Sequence, residues 1–173
     1  DFIEEHELTP VMLLCTHQHF DHVWGAAFVL RQWPNIKAYA NRIDFEKLPL
    51  PSEQLKGYGI PLPLEDVPME RYTLIGQDDL ITLGGEEIRV LFVPGHAPGH
   101  IAFYAGDSDI LLSGDTLLQG TIGRTDFWYG DYDQLVEAIK TQYLTLPDET
   151  IVFSGHGPET TIGFERRKNP FLQ

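Results

Sequence analysis

Three short apolar runs in this chain of 173 residues are each followed closely by a side chain that can bind a metal ion. His17 follows "VMLL", Asp115 follows "ILLSG" and His156 follows "IVFSG". In open α/β architectures, the loops after the carboxyl ends of strands collect functional groups. The repeated order of strand and then ligand therefore predicts a layered α/β protein whose functional loops meet at one sheet edge.

Other segments give the expected elements. The predicted strands are the following apolar runs: Val11–Leu14, Ile36–Tyr39, Leu80–Leu83, Ile88–Val93, Ile101–Tyr104, Ile110–Leu112 and Ile151–Phe153. The segment "LGGEE" at 83–87 predicts a hairpin turn, since its glycines can take positive φ.

Helical periodicity appears at Val23–Trp33 and again at Tyr132–Leu144. In the second segment Leu135, Ile139 and Tyr143 share a face, and Asp131 or Asp133 is a candidate cap. The opening "DFIEEHEL" reads as the last turns of a helix. The segment Pro49–Pro68, with five prolines and two glycines, predicts a long irregular loop that either serves as a lid or simply connects elements.

Composition excludes several partners. The formal net charge is −14, which disfavours nucleic acid because phosphate backbones require a basic surface. No apolar run approaches the roughly 20 residues of a membrane span. One cysteine excludes an internal disulfide and fits a reducing, cytoplasmic compartment. Cys15 itself follows a strand, where we expect a small hydrophobic residue rather than a catalytic thiol.

The histidines are concentrated in three motifs. Six of the seven lie in "HQHFDH" (17–22), "PGHAPGH" (94–100) and "SGHGP" (154–158), while His6 reads as a surface residue. In an extended loop His17 and His19 point to one side and can reach a single ion. Asp21 and His22 enter the next helix and can face a neighbouring ion. Nitrogen ligands with a carboxylate suit zinc, and also iron or manganese.

These motifs resemble those of the metallo-β-lactamase superfamily. His-x-His-x-Asp-His, "PGHAPGH", "SGDT" and a late "GH" occur in that order, and "GRTDFWYGD" with "SGHGPETTIGFERRKNPF" is similar to small glyoxalase II-like hydrolases. The resemblance implies a single domain over residues 1–173 with an αββα sandwich fold. Members normally begin with strands upstream of this chain's first helix, so we expect those strands to be missing here.

The resemblance also implies a two-metal site. His17, His19 and His96 would bind the first ion, Asp21, His22 and His156 the second, and Asp115 would bridge them. His100 would orient its neighbours rather than ligate. The cofactors would be two divalent ions, with zinc expected first and iron or manganese as alternatives.

The reaction implied is hydrolysis of a small acyl-thiol substrate by a hydroxide that bridges the two ions. Asp21 would orient the water and accept its proton. Glyoxalase II proper has a helical C-terminal domain and a tyrosine just after the last histidine, and "GHGPE" lacks that tyrosine. Recognition of glutathione is therefore an open question, and the pattern defines no oligomeric state.

Several alternatives share this scaffold. Persulfide dioxygenases use one iron and typically have another residue where His100 stands, and flavodiiron proteins have glutamate at the position of His19. Nucleic-acid processing relatives insert a domain between the aspartate and the last histidine, where this chain has only forty residues between Asp115 and His156. A non-enzymatic zinc module is disfavoured because structural sites close their coordination with four ligands.

Two basic features have alternative interpretations. Arg124 follows the bridging aspartate, at the position where glyoxalase II has a lysine that contacts glutathione, and it could hold a carboxylate of the substrate. The alternative is a salt bridge with Asp126 or Asp131. The run Arg166–Lys168 could meet an anionic substrate, or could be solvated at the C-terminus of a helix.

Overall fold

Two β-sheets lie face to face in the computed structural model, which describes residues 2–173. The smaller sheet has three parallel strands in chain order: β1 (Met12–Leu14), β2 (Lys37–Ala40) and β3 (Tyr72–Leu74). Parallel neighbours need long crossover connections, and here helices form them. The helices between β1 and β2 are α2 (Phe20–Val23) and α3 (Ala26–Gln32), and those between β2 and β3 are α4 (Arg42–Lys47) and α5 (Pro51–Gly57). A short helix, α1 (Phe2–Glu5), precedes β1, and a 3₁₀ turn (Met69–Arg71) precedes β3.

The larger sheet has six strands, and they pair in the spatial order β11-β10-β7-β6-β5-β4. Their bounds are β4 (Leu80–Leu83), β5 (Glu86–Phe92), β6 (Ile101–Ala105), β7 (Ile110–Gly114), β10 (Ile151–Ser154) and β11 (Thr160–Thr161). A separate small hairpin follows β7: β8 (Leu117–Leu118) and β9 (Thr121–Ile122). The remaining helices are α6 (Tyr132–Ala138), which continues as a π-helical segment (Ile139–Tyr143), and α7 (Ile162–Lys168).

Three apolar clusters define four layers. Val90, Ile101 and Phe103 of the large sheet pack against Met12 and Leu14 of the small one, so the first cluster lies between the sheets. A second cluster joins the outer face of the large sheet to α6 and α7, and a third joins the small sheet to α3. The order is helices, sheet, sheet, helices. This confirms the predicted αββα sandwich, a packing in which each sheet buries both of its faces.

All seven predicted strands are present, with ends that differ by one or two residues. The hairpin prediction is also confirmed: Leu83 pairs with Glu86, while Gly84 and Gly85 have φ of 63° and 96°. A two-residue turn of this hand needs positive φ at both central positions, which glycine takes without strain.

Two helix predictions need correction. The predicted helix Val23–Trp33 is broken at Trp24–Gly25. The structure instead has two helices, α2, which starts at Phe20 before the break, and α3, which ends at Gln32 after it. Tyr132–Leu144 changes from α- to π-helical geometry at Ile139. The shared face is confirmed, because its three members, Leu135, Ile139 and Tyr143, are fully buried, and Asp131 caps α6 by accepting the Gln134 N–H.

The prediction of an irregular loop over Pro49–Pro68 is wrong in part, because α5 occupies Pro51–Gly57. Pro51 stands in the first turn, where a missing N–H costs nothing, and Glu53 accepts the Leu50 N–H. Leu55 is buried, so packing adds to these local signals. A proline in the first turn therefore starts this helix instead of breaking it.

The topology brings the expected functional loops together. β7 and β10 are parallel, so Asp115 and His156 emerge at the same edge of the large sheet. β6 runs antiparallel to β7, which places the connection from β5 to β6, with His96 and His100, at that edge as well. The Ile101 N–H donates to the Thr16 carbonyl over 2.9 Å, and this bond ties the end of β1 to the same place.

Leu135→Ala should lower the free energy of unfolding by about 2–5 kcal/mol, because Leu135 is fully buried between α6 and the large sheet. Urea denaturation followed by circular dichroism measures the change. The matched control is the neighbouring exposed position, Gln134→Ala, which should change stability by less than about 0.5 kcal/mol. Equal effects at the two positions would contradict the described packing.

Candidate metal centre

The predicted ligand residues lie on four separate loops. His17 follows β1, and His19 is the residue before α2, which carries Asp21 and His22. His96 lies between β5 and β6, Asp115 directly follows β7, and His156 follows β10. Sequence separation is therefore large, up to 139 positions from His17 to His156, while the side chains meet in space.

The structure brings these side chains into three overlapping groups, within each of which the ligand-type atoms lie no more than 4.8 Å apart. The groups are His17–His19–His96, His17–His22–Asp115 and Asp21–His22–His156. The first and third correspond to the two sets that the resemblance implied. Asp115 lies between them, since its carboxylate oxygens are 3.7 Å from His96 Nε2, 3.3 Å from His22 Nε2 and 3.4 Å from His156 Nε2.

The hydrogen bonds of His96 define its available nitrogen. His96 Nδ1 lies 2.8 Å from the Arg124 carbonyl oxygen, which can only accept, so Nδ1 carries the proton. His96 Nε2 is left with a lone pair, and it lies 3.0 Å from His19 Nδ1. His19 Nε2 in turn lies 2.8 Å from the Tyr129 hydroxyl. Such outer contacts fix the tautomer and orientation of an imidazole before it meets an ion.

Burial keeps most of these imidazoles uncharged. Burial and the neighbouring imidazoles hold the pKa of His17 well below its ordinary value and lower that of His19 to about 3. Burial also lowers the pKa of His96. His22 differs: burial alone would lower its pKa, but the carboxylates of Asp115 and Asp21 raise it. At neutral pH the first group is therefore in the unprotonated form that metal binding requires.

The donor set fits metal ions, because several of its buried polar atoms have no other partner. His17 Nε2, His22 Nε2 and Asp115 Oδ1 are buried without a hydrogen bond among the described residues. Buried polar groups are almost always hydrogen-bonded, so three unsatisfied atoms facing one another indicate an occupant that accepts lone pairs. A divalent cation does this for imidazole nitrogens and carboxylate oxygens together.

His100 lies beside these groups and in none of them. It is fully buried, its ring stacks on His17 with centroids 4.7 Å apart, and its Nε2 accepts the Asp115 backbone N–H over 3.1 Å. Burial and the neighbouring imidazoles hold its pKa well below the ordinary value. The neutral ring thus holds the backbone of Asp115, a contact that matches the orienting role expected for it.

Sequence reasoning missed Asp44, which joins two of the histidine loops. Asp44 is 1% exposed on α4, and its two carboxylate oxygens accept the N–H of Gln18, over 2.9 Å, and the N–H of Gly99, over 2.5 Å. Gln18 lies between His17 and His19, and Gly99 precedes His100. Burial raises the pKa of Asp44 to about 6, although both backbone bonds oppose that shift.

A glycine is required at position 99 for the Asp44 carboxylate to come this close to the backbone. A Cβ at position 99 would come within 2.7 Å of the Asp44 carboxylate oxygen and 2.5 Å of its backbone nitrogen. Nothing in "NRIDFEK" marks Asp44 as buried, because a helical aspartate among charged residues is typical of a solvated face. Tyr129 was missed for a similar reason: a tyrosine in a polar loop carries no sign that its hydroxyl meets a histidine 110 positions away.

A cavity of about 620 Å³ opens above the metal-ligand candidates. Its floor contains side chains of the candidate metal site: His19, Asp21, His96, Asp115 and His156. Its walls are mainly apolar and come from α2, the end of α5, β9 and the loop after β9, and they include Phe20, Tyr58, Ile122, Phe127, Trp128 and Tyr129. A mostly apolar cleft with a few convergent polar groups is typical of a small-molecule site.

Arg124 lines this cavity with its charge already paired. Its guanidinium donates to both carboxylate oxygens of Asp126, over 2.6 and 2.8 Å, and lies 4.4 Å from the Phe127 ring centroid. Of the two alternatives that the sequence left open, the structure contains the ion pair with Asp126. The backbone carbonyl of Arg124 has the separate task of orienting His96.

The other sequence candidates lie away from the cavity. Arg166 and Arg167, at the end of α7, pair with Asp148, so the basic run does not face the metal-ligand candidates. Cys15 is buried, and burial raises the pKa of its thiol to about 12, as suits a packed apolar residue. His6 is exposed, as predicted. Within residues 2–173 no helix has the length and hydrophobicity to cross a membrane.

Comparison with known proteins identifies the family. Residues 3–156 match the family model described as the metallo-beta-lactamase superfamily, so the chain belongs to that superfamily. It is 42% identical over 174 residues to hydroxyacylglutathione hydrolase GloC of Haemophilus influenzae, covering 98% of this chain and 79% of GloC. It is 40% identical over 171 residues to the probable metallo-hydrolase YqgX of Bacillus subtilis, covering 99% and 80% of the two chains.

A solved structure supports the same family at the level of the backbone. TTHA1623, solved in a di-iron-bound form, has a TM-score of 0.86 and 34% sequence identity, with 99% of this chain and 82% of that chain covered. The chain is accordingly a metallo-hydrolase of the metallo-β-lactamase superfamily, a family that binds divalent metals.

Asp44→Asn should weaken metal binding, since an amide can accept only one of the two N–H groups and turns its own NH₂ towards the other. We expect the affinity for Zn²⁺ to fall about tenfold or more. Competition with a chromophoric chelator measures it on metal-free protein.

Asp66→Asn is the matched control for this change, because Asp66 also accepts a backbone N–H and a hydroxyl, both from Ser52, in a part-buried site away from the candidate ligands. Its affinity for Zn²⁺ should stay near that of the wild type. An Asp44→Asn protein that binds Zn²⁺ as tightly as Asp66→Asn would show that the contact does not position the histidine loops.

Proposed function

We propose that this protein is a thioesterase of the glyoxalase II-like type, acting on small acyl-thiol substrates with two divalent ions, most simply Zn²⁺, with iron or manganese as alternatives. The observation that carries the proposal is the convergence of seven histidine and aspartate side chains next to an apolar cavity, with three of their buried atoms lacking a hydrogen-bond partner. The name of the relative GloC, a hydroxyacylglutathione hydrolase, supports hydroxyacyl thioesters as the substrate class.

The residues divide into two proposed sets. His17, His19 and His96 would hold the first ion, Asp21, His22 and His156 the second, and Asp115 faces both sets. When bound, such cations lower the pKa of a water to roughly 7 and polarise a carbonyl oxygen. The two sets and Asp115 together have seven side chains, which exceeds the two histidines and one carboxylate that a single iron requires, and this favours the two-ion proposal over a persulfide dioxygenase.

Asp21 is the proposed proton acceptor. Its side chain is 41% exposed and lines the cavity, so water reaches it, and its Oδ2 lies 3.2 Å from His156 Nε2. In the proposed reaction the water oxygen bonds to the acyl carbon and the carbon–sulfur bond breaks. The proton taken by Asp21 passes to the departing thiolate, giving a carboxylic acid and a thiol. A thiolate is a good leaving group, so no strong general acid is required.

The protein supplies the remaining conditions for this chemistry. The mainly apolar walls leave the polar floor as the part of the cavity that can orient a carbonyl group. No serine or cysteine nucleophile is needed, and the single cysteine, Cys15, is buried away from the lining residues. The unpaired Cys15 also fits the cytoplasmic location that we propose.

Asp115→Asn tests the proposal. The amide removes a negative charge and a ligand-type oxygen from the point that faces His22, His96 and His156, so kcat/KM for thioesters at neutral pH should fall by roughly a hundredfold or more. A spectrophotometric thiol-release assay with a thioester panel measures it. The fold should remain, because Asp115 belongs to none of the apolar clusters that join the layers.

The control is Asp107→Asn, an exposed carboxylate between β6 and β7 that does not line the cavity. Its activity should equal that of the wild type. An Asp115→Asn protein with near-normal activity and a full complement of metal would overturn the proposed role of Asp115. The proposed thioesterase function would be overturned if the wild-type protein held one iron and consumed oxygen with a persulfide substrate.

A further inference from the structure

Two groups of aromatic side chains form walls of the cavity. Phe20 and Tyr58 form the first wall, with ring centroids 5.4 Å apart. Phe127 and Tyr129 form the second, stacked at 5.1 Å, and Trp128 packs edge-on against Tyr129. Much of the surface around the cavity floor is therefore aromatic.

These walls begin next to the reacting centre. The Phe127 ring centroid is 5.3 Å from that of His19 and 5.8 Å from that of His96, while Phe20 directly follows His19 in the chain. A group bonded to the reacting carbon therefore lies within reach of these rings, and the acyl group is bonded to that carbon directly.

The walls offer apolar contact and little charge. Among the described residues that line the cavity, Arg124 is the only lysine or arginine, and both Asp126 oxygens accept from its guanidinium. An anionic acyl group would find no free cation on the walls. Trp128 and Tyr58 are 79% and 56% exposed at the rim, which leaves a large aromatic surface for a ligand to cover.

We infer that the preferred substrate carries an apolar, aromatic acyl group that packs against these walls. The inference rests on the proposed thioesterase function and adds the acyl class to it. Aromatic pairs prefer offset or edge-to-face contacts, and burying a ring also removes apolar surface from water, so both effects favour an aryl over a methyl group.

Two pairs of thioesters isolate the acyl group. S-mandeloylglutathione and S-lactoylglutathione are hydroxyacyl thioesters that differ only by phenyl against methyl, and the corresponding N-acetylcysteamine thioesters repeat the comparison on a neutral thiol. With Zn²⁺-loaded protein, kcat/KM should be at least about tenfold higher for mandeloyl than for lactoyl in both pairs. A lactoyl thioester used equally well or better would overturn the inference while leaving the thioesterase intact.

Trp128→Ala tests the wall itself. Because Trp128 is largely exposed, the variant should fold, and the mandeloyl-to-lactoyl ratio should fall about fivefold or more through a loss confined to the mandeloyl substrate. Phe28→Ala is the matched control: Phe28 is an aromatic residue of α3, 55% exposed, outside the cavity. Its ratio should equal that of the wild type, and an unchanged ratio in Trp128→Ala would overturn the inference.

Product binding gives a readout without turnover. In isothermal titration calorimetry mandelate should bind the wild-type protein at least about tenfold more tightly than lactate, and Trp128→Ala should lose that difference. Equal affinities for the two acids in the wild type would contradict an aromatic acyl site. Hydrolysis of none of the four thioesters would overturn the proposed function and this inference with it.

Discussion

The structure depends on holding a cluster of buried imidazoles in contact with one another without letting them take up protons. His17 has ring contacts with His19, His22, His96 and His100, and all of these centroids lie within 5.1 Å. Protonation of His17 would place a cation among its neighbours in a buried site, and burial together with those neighbours holds its pKa well below the ordinary value. The cluster is therefore stable as neutral rings whose lone pairs converge, and such lone pairs need a shared cation.

Many features of the fold serve this constraint. Parallel pairing of β7 with β10 brings Asp115 and His156 to one edge, and backbone contacts at Arg124, Gln18 and Gly99 fix the histidine loops. His100 holds the Asp115 backbone, and the Tyr129 hydroxyl meets His19. The aromatic walls line the cavity whose floor these contacts arrange, which links the packing of the loops directly to the chemistry proposed for the site.

The sequence could predict those elements and site residues that a pattern of neighbouring residues determines. Apolar runs located all seven expected strands, and the order of His and Asp after those runs located the residues that the structure brings together. Some local patterns fit more than one structure and gave a wrong prediction. Pro51 is typical of a loop, yet in the first turn of α5 it starts a helix. The period-3.6 pattern at Val23–Trp33 gave no sign of the break at Trp24–Gly25.

The sequence could not predict contacts between segments that lie far apart in the chain and meet only in the folded protein. Asp44 acts on loops 26 and 55 positions away, and its burial follows from the absence of a side chain at Gly99. The pairing of Arg124 with Asp126 was one of two local possibilities, and only the positions of the loop backbone decide between them. The aromatic walls likewise bring together residues of α2, of the end of α5 and of the loop after β9.

The central claim is that the converging side chains form a two-ion site. The most direct test is the number of divalent ions bound per chain, measured by inductively coupled plasma mass spectrometry after metal-free protein has been saturated with Zn²⁺ and dialysed. The account predicts two ions per chain, since the side chains provide two sets of ligands around a shared Asp115. A single ion, or none, would contradict it.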